Sequence, residues 1–142
     1  MILPEANQEV EKILLQGILK IVMGVTGGGK STWISHQNGA KLIGEKEDAT
    51  YVIENEDQND EIHPDIGNNN SSCTSKPKLC GQYIDSPGFE DSNGSIVEII
   101  NSYSNARMFR KGKKVKLIFV VEFASLLSGR GKDLTDAADR LA

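Results

Sequence analysis

Four glycines, a lysine and a serine lie within eight residues near the start of the chain, and this combination suits the binding of phosphate. The segment runs Gly24-Val25-Thr26-Gly27-Gly28-Gly29-Lys30-Ser31, with the spacing G-x-x-x-x-G-K-S. A phosphate chain is held best by backbone N–H groups that converge at the start of a helix, where they are unpaired and the helix dipole is positive. Because glycines lack the Cβ atoms that would block a curled loop, the segment predicts a phosphate-binding turn.

Each polar residue of this loop has an expected role toward a nucleoside triphosphate. Lys30 supplies a flexible ammonium group for the outer phosphates, and Ser31 offers its hydroxyl to Mg²⁺. A glycine-rich turn that binds nothing is the alternative interpretation of the same pattern. The residues expected to bind the nucleotide are Gly24, Thr26, Gly27, Gly28, Gly29, Lys30, Ser31 and Thr32, with Gly88 from a later segment.

The flanking residues fit the strand and the helix that such a loop requires. Ile18 to Met23 is apolar and rich in β-branched residues, which is typical of a strand covered on both faces in a parallel sheet. A short helix is expected to begin near Lys30 and to end at Gln37-Asn38-Gly39. The other expected elements are an amphipathic helix over Pro4 to Gln16 within an N-terminal helical segment 1–17, a helix over Ser95 to Phe109, a second buried strand over Val115 to Val121, and a helix over Asp133 to Ala142.

A second segment has the residues to complete a metal site. Leu79 to Ile84 predicts a strand that leads into Asp85-Ser86-Pro87-Gly88-Phe89. A carboxylate fixed at the end of a strand beside the loop can orient the shell of Mg²⁺, usually through water, and Gly88 can present its N–H to the γ-phosphate. A Pro-Gly turn that only ends the strand is the alternative. With the upstream loop in view, we expect Asp85 and Ser31 to hold the metal together.

Length, composition and charge narrow the class of protein. The 142 residues are about one domain, 38% hydrophobic and 25% charged, as in ordinary globular proteins. A net charge of -4 argues against nucleic acid as a partner. The N-terminal residues predict no secretory leader, no run is as long as a transmembrane segment, and Cys73 and Cys80 are expected to be reduced thiols. These features predict a cytoplasmic protein.

Residues 41–75 are acidic and polar, and they predict a loop-rich insertion that includes a mobile switch loop. Thr50 to Ile53 predicts a brief strand in its middle. The carboxylates do not have the spacing of a calcium-binding loop, so a solvated segment is expected.

The glycine-rich loop and Asp85-Ser86-Pro87-Gly88 together resemble two motifs of the translation-factor-related class of P-loop GTPases, most closely its septin and immunity-associated branches. The resemblance implies one partial GTPase-like domain over 1–142, an α/β protein with three α/β/α layers around a mostly parallel sheet. It implies GTP and Mg²⁺ as ligands, and a switch or assembly module that forms homo- or hetero-dimers with another GTPase domain as the output.

The same resemblance implies a threonine in the mobile loop, where it meets Mg²⁺ and the γ-phosphate. Thr74 is the candidate, as a metal ligand and, with Lys30, as a catalytic residue, and Thr50 is the alternative. Phe89 stands where small signalling GTPases have the glutamine that orients the attacking water, so hydrolysis is expected to be slow or to use a residue from elsewhere.

The element Asn/Thr-Lys-x-Asp, which recognises guanine in this class, is not found, since Gly131-Lys132-Asp133 has the wrong spacing. The domain is therefore expected to be incomplete at its C-terminal end. Two alternatives remain open. One is an ATP-using kinase or ATPase, in which Val115 to Glu122 supplies an apolar strand and an acid, and the other is a non-catalytic protein that pairs with a complete GTPase domain.

Overall fold

Four helices and six strands make up the described part of the chain. The computed structural model describes residues 2–47, 50–56, 62–64, 66, 76–87 and 95–128, together with positions 135, 138 and 139. The helices are α1 (Ile2–Leu14), α2 (Lys30–Gln37), α3 (Ser95–Lys111) and α4 (Phe123–Ser128). The strands are β1 (Leu19–Met23), β2 (Leu42–Glu47), β3 (Thr50–Asn55), β4 (Lys78–Cys80), β5 (Tyr83–Asp85) and β6 (Val115–Phe119).

Four of the strands form one sheet, in the order β4-β5-β1-β6. The central strand β1 pairs in parallel with both β5 and β6, whereas β4 is antiparallel to β5. Because β1, β5 and β6 run in the same direction, the residues that follow them emerge at one end of the sheet. The protein is thus mixed α/β with a mostly parallel sheet, and the complete three-layer P-loop fold stays a prediction.

Strand β1 is apolar on both faces because helices cover both faces of the sheet. On one face Leu19, Ile21 and Met23 pack in a cluster with side chains of α1 and α3. On the other face Val22 packs with Ile34 of α2 and with Cys80. The prediction of a buried parallel strand before the glycine-rich loop is therefore confirmed, over Leu19–Met23.

Strand β6 differs from its prediction as a second buried strand. Lys116 and Leu117 are exposed, and the other three residues of β6 are only partly buried. Within the described ranges, β6 pairs with β1 on one side and lies at the edge of the sheet. The prediction that Val115 to Val121 is buried is wrong. An apolar strand at the edge of a sheet and one at its centre have similar compositions, so the sequence did not distinguish them.

Two hairpins replace simpler predictions. In the acidic segment, β2 and β3 form a separate antiparallel pair in which Glu47 lies opposite Thr50, so the brief strand predicted at Thr50 to Ile53 is one half of a hairpin. The single strand predicted over Leu79 to Ile84 is also a hairpin, β4 and β5, which turns at Gly81. Gly81 has a φ of +60°, a left-handed conformation that glycine adopts without steric cost.

The predicted helices α1, α2 and α3 are present with slightly shifted ends. The helix predicted over 133–142 falls almost entirely outside the described residues. Among the helices that the structure describes, none combines the length and the apolar character needed to cross a lipid bilayer.

Helix α1 covers the outer edge of β4 with its acidic side chains. The backbone N–H of Leu79 donates to Oε1 of Glu9 at 3.1 Å, and Lys76 Nζ donates to Oε2 of Glu5 at 3.0 Å. The hydrogen bond and the charge of Lys76 lower the pKa of Glu5 from its ordinary value. An N–H that would otherwise face outward from the sheet is therefore satisfied within the chain.

Candidate functional site

The glycine-rich loop joins the end of β1 to the start of α2, as its sequence predicts. Gly29 is the N-cap residue of α2 and has a φ of +89°, and Gly27 in the loop has a φ of +77°. Both are left-handed conformations that residues with a side chain rarely adopt. The first turn of α2 carries no acidic residue, so the positive end of its dipole is not neutralised from within that turn.

The carbonyl oxygen of Val25 holds the loop in its curled form. It accepts hydrogen bonds from the backbone N–H of Gly28 at 3.1 Å and from Nζ of Lys30 at 2.9 Å. Only 7% of Lys30 is exposed, so its ammonium group is held close to the loop. Of the amides expected to donate to phosphate, that of Gly28 therefore already has an acceptor within the loop.

The loop also lies against the end of β6. A Cβ atom added to Gly24 would stand 2.4 Å from the carbonyl oxygen of Val120, which is closer than any real contact of such an atom. The backbone N–H of Val120 in turn donates to the carbonyl oxygen of Met23 at 2.9 Å. Glycine is needed at position 24 because the loop and the strand leave no room for a side chain.

Ser31 and Asp85 meet although 54 positions separate them in the sequence. The hydroxyl Oγ of Ser31 donates to Oδ2 of Asp85 at 2.9 Å, and Asp85 is fully buried. Nearby, the rings of Trp33 on α2 and Tyr83 on β5 pack edge to face, with centroids 5.3 Å apart. This contact between α2 and β5 helps to keep the hydroxyl and the carboxylate together.

Ser86 fixes the chain directly after Asp85. Its backbone N–H and its hydroxyl both donate to the carbonyl oxygen of Val22 in β1, and its side chain is fully buried. The end of β5 is thereby tied to the central strand, on the residue next to the carboxylate. The position of Asp85 relative to the glycine-rich loop is set by these bonds.

Ser31 and Asp85 supply two oxygen-bearing side chains, the type of ligand that Mg²⁺ takes from proteins. No three His, Cys, Asp or Glu side chains in the described ranges come together as a metal-binding group. Mg²⁺ usually keeps several waters and takes one or two protein ligands, with phosphate oxygens completing its shell. A serine hydroxyl whose proton is donated to a buried carboxylate leaves its oxygen lone pairs for a cation.

Some of the other residues predicted to form the site are described by the structure, and others lie outside the described residues. Thr26 and Thr32 are half-buried, in the loop and in the first turn of α2. Thr74, Gly88 and Phe89 lie outside the described residues, so their predicted roles stay predictions. The alternative threonine, Thr50, begins β3 in the two-stranded sheet. Of the two cysteines, Cys80 is a buried free thiol and Cys73 falls outside the described ranges.

Sequence reasoning missed three residues that shape the site. Val25 and Val120 act through their backbone carbonyls, which every residue type possesses, so side-chain chemistry could not single them out. Ser86 acts through its hydroxyl, and its place directly after a strand-end aspartate was the only available signal. A glycine at position 24 is consistent with close packing against another segment, but the sequence did not show that this segment contains Val120.

Comparisons with protein-family models, with curated proteins and with solved structures find no match for this chain. The case for a function therefore depends on the chemistry and the geometry of the residues themselves.

Proposed function

We propose that this protein binds a guanine nucleotide, GTP, together with Mg²⁺, and hydrolyses it slowly to GDP and phosphate as a switch or assembly module. The observation that carries the proposal is the 2.9 Å hydrogen bond between Ser31 of the glycine-rich loop and the buried Asp85 of β5. Two motifs that lie 54 positions apart in the sequence are adjacent in space.

The chain's own groups account for most of the binding. Lys30 and the amino-terminal end of α2 both present positive charge to the phosphates, and charge-assisted hydrogen bonds of this kind are the strong ones. Gly24 lets the backbone of the loop stay curled against β6. Ser31 and Asp85 would hold Mg²⁺, which would neutralise charge on the outer phosphate oxygens.

Slow hydrolysis follows from the residue at position 89. A phenyl ring neither accepts a proton nor orients water, so Phe89 cannot replace the glutamine used by small signalling GTPases. Preference for guanine rests on the resemblance of Asp85-Ser86-Pro87-Gly88 to the GTPase motif, and binding of ATP is the alternative. In the ATPase alternative Glu122 would act in place of Asp85, but Glu122 is exposed whereas Asp85 is buried and bonded to Ser31.

Calorimetric titration of GTP in the presence of Mg²⁺ tests the binding step. Replacing Lys30 with alanine removes a buried ammonium group, and we expect the affinity to fall at least about thirtyfold. Lys12→Ala, which removes an exposed lysine on α1, is the matched control and should leave the affinity unchanged. Equal affinity in the wild type and in Lys30→Ala would contradict the proposal.

Two further measurements separate the alternatives. Competition of GTP and ATP for a fluorescent analogue decides the base, since stronger competition by ATP would favour the kinase or ATPase. Single-turnover hydrolysis then distinguishes a slow GTPase from a non-catalytic protein. Binding without any turnover, alone or with a complete GTPase domain, would leave only the interaction role.

A further inference from the structure

One end of the sheet is rich in positive charge. Strands β1 and β6 are parallel and in register from Leu19 and Val115, so the residues that precede them lie at the same end of the sheet. The glycine-rich loop follows β1 at the other end, about 16 Å away along the strand. The segment that leads into β6 contributes five exposed cations, which we call the basic face: Arg110, Lys111, Lys113, Lys114 and Lys116.

The basic face is not neutralised by acidic side chains. Between Glu98 and Glu122 the sequence contains no aspartate or glutamate. Glu11 at the end of α1 is already paired with Arg107, which lies one helical turn before the basic face. Of the ion pairs among the described residues, none includes a side chain of the basic face. Its positive charge is therefore available to a partner.

Two exposed apolar side chains accompany the basic face. Leu15 is 84% exposed and Ile18 is 51% exposed, in the connection between α1 and β1. This connection reaches the turn before β6, because the N–H of Leu19 donates to the carbonyl oxygen of Lys114 at 2.8 Å. A Cβ atom added to Gly112 would stand 2.7 Å from Cδ1 of Leu19, so the two segments are in close contact. Cations and protruding apolar side chains thus share one end of the molecule.

We propose that this end of the protein binds the surface of a membrane that contains anionic lipids. The cations of the basic face would meet the negatively charged head groups, while Leu15 and Ile18 would enter the boundary with the acyl chains. Each lysine or arginine near such a surface strengthens binding about fivefold. Five cations together are enough for reversible attachment without a membrane-spanning segment.

Two properties favour a membrane over a soluble polyanion such as nucleic acid. The phosphate backbone of a duplex attracts cations but has no apolar layer that could accept Leu15 and Ile18. The charge is also unevenly distributed, since residues 107–116 contain six of the 16 basic residues of a chain whose net charge is -4. A flat anionic surface would attract the basic face and repel the acidic remainder. The glycine-rich loop would then face away from the membrane.

Flotation of the nucleotide-free full chain with lipid vesicles tests the proposal, which does not depend on nucleotide binding. We expect binding to vesicles of phosphatidylcholine with about 30% phosphatidylserine, and no binding to vesicles of phosphatidylcholine alone. Binding to the anionic vesicles should weaken as the salt concentration rises. A wild type that does not bind the anionic vesicles, or that binds both kinds equally, would overturn the proposal.

A charge variant tests the basic face itself. Lys113→Ala with Lys114→Ala removes two exposed cations and should weaken binding to the anionic vesicles about thirtyfold, with the fold retained by circular dichroism. Lys76→Glu is the matched control, because it changes the net charge by the same amount at a residue bonded to Glu5. It should bind as the wild type does. An equal loss in Lys76→Glu, or no loss in the double variant, would contradict a role of the basic face.

An apolar variant distinguishes a membrane from a soluble polyanion. Leu15→Ser should weaken vesicle binding at least about fivefold, because the side chain no longer enters the acyl boundary. Ile99→Ser, at an exposed position on α3, is the control and should bind as the wild type does. A Leu15→Ser variant with wild-type affinity would overturn a membrane as the partner. Tighter binding of the wild type to a DNA duplex or to polyglutamate than to the vesicles, at equal concentrations of negative charge, would also overturn it.

Discussion

The two sides of the central strand β1 differ in how they contact the glycine-rich loop and in how far the sheet beyond is covered. On the β5 side, a buried side chain reaches the glycine-rich loop, since Asp85 accepts a hydrogen bond from Ser31, and α1 covers the edge beyond. On the β6 side, the loop lies against the backbone carbonyl of Val120, and Lys116 and Leu117 of that strand are exposed. The proposed ligand-binding residues lie on the covered side of the sheet, where burial holds the carboxylate of Asp85 in one place.

The largest expected effect comes from replacing the carboxylate at the end of β5, compared with the carboxylate that follows β6 on the other side of β1. Asp85→Asn keeps the shape of a buried group that contacts Ser31 but removes its charge, so Mg²⁺-dependent nucleotide affinity should fall about 10- to 100-fold. Glu122→Gln makes the same chemical change beyond β6, at an exposed position, and should have little effect. Titration of both variants with and without Mg²⁺ measures the difference. A larger loss in Glu122→Gln would reverse the comparison and support the ATPase alternative.

A smaller effect is expected where the loop meets β6. Gly24→Ala places a methyl group 2.4 Å from the carbonyl oxygen of Val120, so the loop or the strand must shift. Overpacking of this kind typically costs about 1–3 kcal/mol of unfolding free energy. Gly17→Ala is the matched control, because nothing lies within 4 Å of an added Cβ atom there.

Chemical denaturation of the two glycine variants gives the comparison directly. Similar midpoints for Gly24→Ala and Gly17→Ala would show that the loop and β6 can separate without cost. The β6 side would then contribute nothing to the shape of the loop.

The smallest effect concerns the covered edge. Glu9→Ala removes the acceptor for the N–H of Leu79, and the loss of one hydrogen bond to a charged group should lower the free energy of unfolding by about 1–2 kcal/mol. Glu9→Gln keeps an oxygen acceptor and should lose less. Thermal melting of both variants tests this order. If both variants melt at the wild-type temperature, the protection of β4 by α1 does not stabilise the fold.

Local patterns in the sequence predicted the elements beside the loop well. The strand before it and the short helix after it were expected within one or two residues, because apolar β-branched residues and a Gln37-Asn38-Gly39 stop act locally. The pairing of Ser31 with Asp85 followed from the two motifs taken together. Such features can be predicted from residues that are close in the sequence, or from the known requirements of a type of binding site.

Features that depend on distant neighbours were not predictable in the same way. The exposure of β6 depends on what lies beside it in the sheet, and its own composition matches that of a buried strand. Strand β2 was not predicted because its last three residues, Glu45 to Glu47, are all charged, which made a strand resemble a loop. The turn at Gly81 divided one apolar run into two short strands.

The contact between Gly24 and Val120 couples the position of the glycine-rich loop to that of the end of β6. Since no space separates the loop from the end of β6, neither can shift toward the other alone. A ligand that moved the loop would therefore also move the end of β6, and any change at β6 would alter the affinity of that ligand by the same factor, as equilibrium linkage requires.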